Sequence, residues 1–143
     1  MWSWSEDTVS LRMFQTSNQT FGPWCPRETD AGTQYGSMWF VSLSSGFFEF
    51  DECIGGPGPS RSSVRTGTRT LTTAELDRLT GAMRSLTPWT GAPCVSTDAQ
   101  IDRLIVSTPA SVVVLYDQYS CGGRSLVFDL HPVSGILQEF VGP

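Results

Sequence analysis

Three stretches in the first half of the chain alternate apolar and polar residues with a period of two. "TVSLRMF" (8–14) sets Val9, Leu11 and Met13 against Ser10 and Arg12. "SMWFVSL" (37–43) sets Trp39, Val41 and Leu43 against Met38, Phe40 and Ser42, and "FFEFDECI" (47–54) sets Phe48 and Phe50 against Glu49 and Asp51. Successive side chains of a strand point to opposite faces, so this period predicts strands that each bury one face. The second and third, joined through "SSG", read as a hairpin. "SSVRTGTRTL" (62–71) adds a further strand, rich in the β-branched residues that suit a pleated surface.

The period then changes. In "TLTTAELDRLTGAMRSL", Thr72 followed three residues later by Glu75 is a capping box, in which each side chain satisfies a backbone amide. Leu76, Leu79, Met83 and Leu86 form one apolar stripe, which predicts a helix over 72–86. Gly81 weakens it by about 1 kcal/mol relative to Ala, and Pro88 stops it. "TPWTGAPCVSTDAQ" is a loop. "IDRLIVS" and "SVVVLYD", separated by "TPA", form a second hairpin, and "SLVFDL" is one more strand. "HPVSGILQEFV" reads as a short C-terminal helix with Pro132 in its first turn and Val133, Ile136 or Leu137, and Phe140 turned inward. The expected fold is α+β: a mostly antiparallel sheet of about six or seven strands, covered by one main helix (residues 72–86) and a short C-terminal helix.

With 143 residues, 39% hydrophobic and 11% aromatic, the chain can bury a real core and reads as one domain over 1–143. "IGGPGPSRSS" (54–63) is too rich in Gly and Pro for an element interior. Too few residues precede it to build a separate core, so it is a surface loop within that domain. The net charge is −5, and every one of the nine basic residues is arginine. That balance argues against a nucleic-acid backbone as partner. Arg61, Arg65 and Arg69 form the densest basic run and are expected along a solvated strand edge. No apolar run reaches the roughly eighteen residues of a membrane span. "MWSWSEDTVS" lacks the basic start and long apolar centre of a signal peptide. Either the protein is intracellular, or Met1 is an added start on a mature exported chain.

The cysteines favour export. Cys25, Cys53, Cys94 and Cys121 form no C-x-x-C pair, and the one histidine, His131, is not near any of them in sequence, so neither zinc nor another metal is expected. Each is flanked by loop residues, in "PWCPRE", "ECIGG", "APCVS" and "SCGGR". Of the three pairings possible, Cys25–Cys53 with Cys94–Cys121 is favoured because each bridge encloses one predicted hairpin. Disulfides persist in oxidising compartments, so the expectation is a periplasmic, cell-surface or extracellular protein.

From "RTLTTAELDRL" through Cys94, Asp98, "RLIVS" and "LYDQYSC" to the terminal apolar turn, residues 69–140 resemble small uncharacterised bacterial lipoprotein or secreted domains with paired cysteines. In these a threonine-capped helix precedes a cysteine, a hairpin, a tyrosine-aspartate pair and a second cysteine. The resemblance implies export and the Cys94–Cys121 pairing, and it implies no activity.

Catalytic groupings are thin. A Ser-His-acid hydrolase needs a base beside its nucleophile, but there is no G-x-S-x-G elbow, and His131 before Pro132 fits a surface or capping role. Glu49, Asp51 and Glu52 are close in sequence, as are Asp98 and Asp102; such carboxylates suit glycoside hydrolysis or calcium, but a solvated face explains them better. "CGGRS" is a turn rather than a phosphate cradle. Trp2, Trp4, Phe21, Trp24 and Trp89 lie in terminal or loop segments, where aromatics either cover a small core or contact a protein or glycan. The sequence therefore reads as a non-catalytic exported binding module without a cofactor, with Arg61, Trp24 and Trp89 as candidate contacts. Arg61, on a loop beside a disulfide cysteine, also suggests a protease-inhibitor-like protein. The alternatives are a structural or assembly component that self-associates through strand edges or aromatic segments, and, behind it, a small hydrolase.

Overall fold

The structure, a computed structural model, describes residues 2–16, 23, 25, 27–29, 34–56, 59–89, 102–117 and 126–142. These form β1 (Ser10–Gln15), β2 (Arg27–Glu28), β3 (Gln34–Tyr35), β4 (Ser37–Ser42), β5 (Phe47–Gly55), β6 (Ser62–Thr70), α1 (Thr73–Arg84), β7 (Arg103–Ser107), β8 (Val112–Asp117), β9 (Val127–Phe128) and α2 (His131–Val141). Seven strands make one sheet in the order β6-β5-β4-β1-β7-β8-β9, and β2 pairs with β3 alone. The sheet is antiparallel except for the parallel pair β8–β9. The fold is α+β, as the change of period predicts. Cys94 and Cys121, together with Trp24, Phe21 and Asp98, lie outside the described residues.

The first strand of the chain is the middle strand of the sheet. Leu11 faces Val41 of β4 on one side and Val106 of β7 on the other. Leu11, Met13, Trp39, Val41, Phe48, Leu104, Val106 and Leu115 line one face and are buried. Both helices cover that face, α1 with Leu79 and Met83 and α2 with Val133, Leu137 and Phe140. Phe140 meets Phe48 edge-on at 5.8 Å. Burying side chains of this size contributes roughly 1.5–3 kcal/mol each.

The helices are started differently. Thr72 Oγ1 accepts the Glu75 N–H (3.1 Å), and Glu75 Oε1 accepts the Thr72 N–H (2.9 Å), which is the capping box read from the sequence. At α2 the cap position is Leu130, which has no polar side chain to offer. Asp117 at the end of β8 takes the Leu130 N–H (2.9 Å), and Asp129 takes the His131 N–H (3.1 Å). Carboxylates are favoured at this end of a helix by its dipole.

Three features depart from the sequence reading. The alternation puts Val9 inward with Leu11 and Met13, but it stands 40% exposed, one residue before β1 begins. "SLVFDL" contributes only a two-residue strand, and that strand runs parallel to its neighbour. Finally, the sheet face away from the helices is not simply solvated: Phe14 and Met38 on it are buried. The short hairpin β2–β3 covers that part of the face. Tyr35 packs edge-on against Phe14 at 5.2 Å, Arg27 pairs with Asp51, and the Cys25–Cys53 disulfide ties the segment to β5. Sequence alternation missed β2–β3 because its strands are two residues long.

Candidate interaction surface

The two longest strands, β5 and β6, are joined through the stretch "IGGPGPSRSS". Its ends belong to the strands, and Pro59–Arg61 forms a single 3-10 turn. Gly55 sits at φ +115°, and a Cβ there would fall 2.2 Å from the Arg61 carbonyl oxygen, so only glycine fits the reversal. Gly56 N–H donates to that same oxygen at 3.0 Å. Arg61 is exposed at this turn.

Those hydrogen bonds define which way β6 faces. Gly56 N–H to Arg61 O closes one end of the β5–β6 ladder, and Leu71 N–H to Gly46 O (2.8 Å) closes the other. Main-chain groups alternate along an antiparallel pair. Those of Ser63, Arg65, Gly67 and Arg69 therefore turn toward β5, and those of Val64, Thr66, Thr68 and Thr70 turn away from it. Among the described residues nothing pairs with this outer side of β6. The same four residues put their side chains on the face opposite the helices, where Thr66 stands beside Asp51 and Thr68 beside Glu49. All four are β-branched, uncharged and exposed.

The arginines of β6 do not guard this edge. The sequence places Arg61, Arg65 and Arg69 along a solvated strand edge; Arg61 and Arg69 are exposed, but Arg65 and Arg69 lie on the helix-covered face and reach the C-terminal end of α2. Arg69 Nε donates to Phe140 O and Arg65 Nη2 to Gly142 O, both at 2.8 Å. A cation at a helix C-terminus meets the negative end of its dipole. Arg69 also donates to Glu75, and this bond together with the Thr72 cap holds the Glu75 carboxyl down to about 2. Arg65 leans toward Glu52, whose carboxylate takes the Trp39 indole N–H at 3.1 Å. Between the arginines, Gly67 leaves room for the Phe50 ring: a Cβ there would come 2.5 Å from Phe50 Cζ.

At the opposite margin the sheet is closed. Outside β9, Pro88 bridges Phe128, Trp89 N–H donates to Val127 O (2.9 Å), and Asp129 N–H reaches Thr87 O (3.4 Å). The Trp89 side chain is 41% exposed there. Trp2 stacks edge-on against Phe128 at 5.5 Å and Trp4 packs against the core, so these two aromatics cover it.

Three of the carboxylates singled out in the sequence, Asp51, Glu52 and Asp102, have structural employment. Asp51 pairs with Arg27, and Glu52 holds Trp39. Asp102 accepts from Thr16 N–H and Thr16 Oγ1 (2.7 and 2.8 Å), while burial pushes its carboxyl above the usual range. Asp117, Asp129 and His131 offer ligand atoms within 4.8 Å of one another, the one such trio among the described residues. Both of its carboxylates are already engaged at the start of α2. The sequence reading did not pick out Val64, Thr66, Thr68 and Thr70, although the β-branched residue at every second position of "VRTGTRT" was the available signal. Compared with protein-family models, with curated proteins and with solved structures, the chain finds no match.

Proposed function

We propose that this chain is an exported, disulfide-braced interaction module that takes up an extended polypeptide segment along the outer side of β6 as an additional strand. One observation carries the reading: Val64, Thr66, Thr68 and Thr70 present consecutive outward main-chain donors and acceptors beneath uncharged β-branched side chains. An edge of this kind is a template for strand addition, in which main-chain bonds supply affinity and alternate side chains supply selectivity. Export is supported by the Cys25–Cys53 bridge, and the same reading has Cys94 and Cys121 oxidised to each other. Support for an inhibitor is weaker. Arg61 closes a helical turn with its carbonyl already bonded, whereas a segment that docks as a strand is extended.

A library of unstructured peptides, selected on the oxidised protein, tests this. Binders should slow hydrogen exchange at the amides of Val64, Thr66, Thr68 and Thr70, and Thr66→Pro, which removes one outward donor at an edge position that tolerates proline, should abolish their binding. Binders that protect another surface, or that bind Thr66→Pro equally well, overturn the reading.

A further inference from the structure

The strand that β6 best accommodates is its own copy, and we infer that the protein forms a twofold dimer by antiparallel pairing of β6 with β6 about Thr66. The inference rests on the reading above and names the partner. An antiparallel pair exchanges two main-chain hydrogen bonds at every second position, so outward-facing residues must meet outward-facing residues. Centring the twofold on Thr66 does this along the whole strand: Thr66 meets Thr66, and Val64 meets Thr68 in both directions.

Charge selects among the registers. Arg65 and Arg69 share the other face of β6, and like charges directly opposite one another destabilise a strand pair. Centring on Arg65 sets Arg65 against Arg65, and centring on Gly67 sets Arg65 against Arg69. Centring on Thr66 places Arg65 opposite Gly67 and Arg69 opposite Ser63, so no arginine faces another. Registers centred on Val64 or Thr68 also separate the arginines, but they pair only part of the nine residues. The Thr66 register is thus the one that uses the full strand without charge conflict. On the opposite face Thr66 meets Thr66 and Ser62 meets Thr70, combinations that stabilise neighbouring strands, and Val64 meets Thr68.

Sedimentation equilibrium of the oxidised protein over a wide concentration range tests the inference. A reversible monomer–dimer equilibrium is expected. Thr66→Lys, which sets two ammonium groups against each other at the twofold while remaining exposed in the monomer, should weaken association several-fold with an unchanged melting temperature at low concentration. A cysteine at position 66 (Thr66→Cys) should crosslink to its own copy, because hydrogen-bonded partners lie about 5.5 Å apart between Cα atoms; Thr68→Cys should not. A protein that stays monomeric throughout, a dimer insensitive to Thr66→Lys, or equal crosslinking at 66 and 68 overturns the inference. If the monomeric protein still captures peptides on β6, the self-pairing has failed and the module reading stands. If neither occurs, both fall.

Discussion

The two margins of the sheet solve the same problem in opposite ways. At β9 the strand is only two residues long, and its outer side is occupied by Pro88 and by the Trp89 amide. At β6 the strand runs for nine residues, and the outward main-chain groups of Val64, Thr66, Thr68 and Thr70 meet no partner among the described residues. Short strands, proline and covering segments are the devices by which proteins blunt an edge; all of them stand at the β9 margin, and among the described residues none stands at the β6 margin. The arginines that could have repelled a neighbour from β6 are drawn onto the C-terminus of α2 instead. The asymmetry argues that the open margin is there to be used.

The sharpest way to break this contrast is to damage the closed margin. Phe128 is buried under Trp2, and Phe128→Ala should cost about 3–5 kcal/mol, read from urea unfolding, with the β6 side keeping its exchange pattern. Next comes the brace beside the open margin. Cys53 lies opposite Val64; replacing Cys25 and Cys53 together by Ser releases a loop of 28 residues, which should lower stability by about 3.5 kcal/mol. A loss well under 1 kcal/mol would mean that β5 and β6 hold without the bridge. Thr72→Ala removes half of the capping box that also positions Glu75 against Arg69, and it should cost about 1 kcal/mol. Thr68→Ala, on the exposed outer side, should change stability by less than about 0.5 kcal/mol, leaving its effect visible only in association.

Acid should tilt the balance between the margins. The folded-state value of Glu75 is depressed to about 2, so its contribution is complete above the ordinary value of 4.5 and is lost as pH falls toward 2. Asp102, immediately before β7 with its carbonyl accepting the Asp117 N–H and with Thr16, Asp117 and His131 nearby, is shifted upward by burial. The stability linked to it is therefore greatest at low pH and declines as pH rises through its raised value. Native-state hydrogen exchange at pH 5 and pH 3 should show the α1–β6 side loosening relative to β7 and β8. Uniform loosening of both would remove the contrast.

Element types were legible because their periods are local: alternation at Leu11–Met13, Trp39–Val41 and Phe48–Phe50, and the capped stripe through Leu79 and Met83. What could not be read is long-range. Nothing in "TVSLRMF" distinguishes a central from a peripheral strand, since both bury one face. The roles of Arg65 and Arg69 depend on where α2, some seventy residues later, comes to rest. The candidate surface was hidden for the same reason. Its threonines are visible, but whether a strand lies beyond them is a property of topology.

The place of β1 carries a consequence for how the molecule assembles. A chain made or delivered N-terminus first exposes this central strand before any of its partners in the sheet, and β4, β5 and β6 can dock on one flank as they emerge. The other flank of Leu11 and Met13 must wait for Leu104 and Val106, with the slow loop closure that such distant pairing entails. During that interval the nascent protein carries a transient border more apolar than the lasting one. Its hazard of misassembly is therefore greatest while β7 is still to come and passes once β7 zips home.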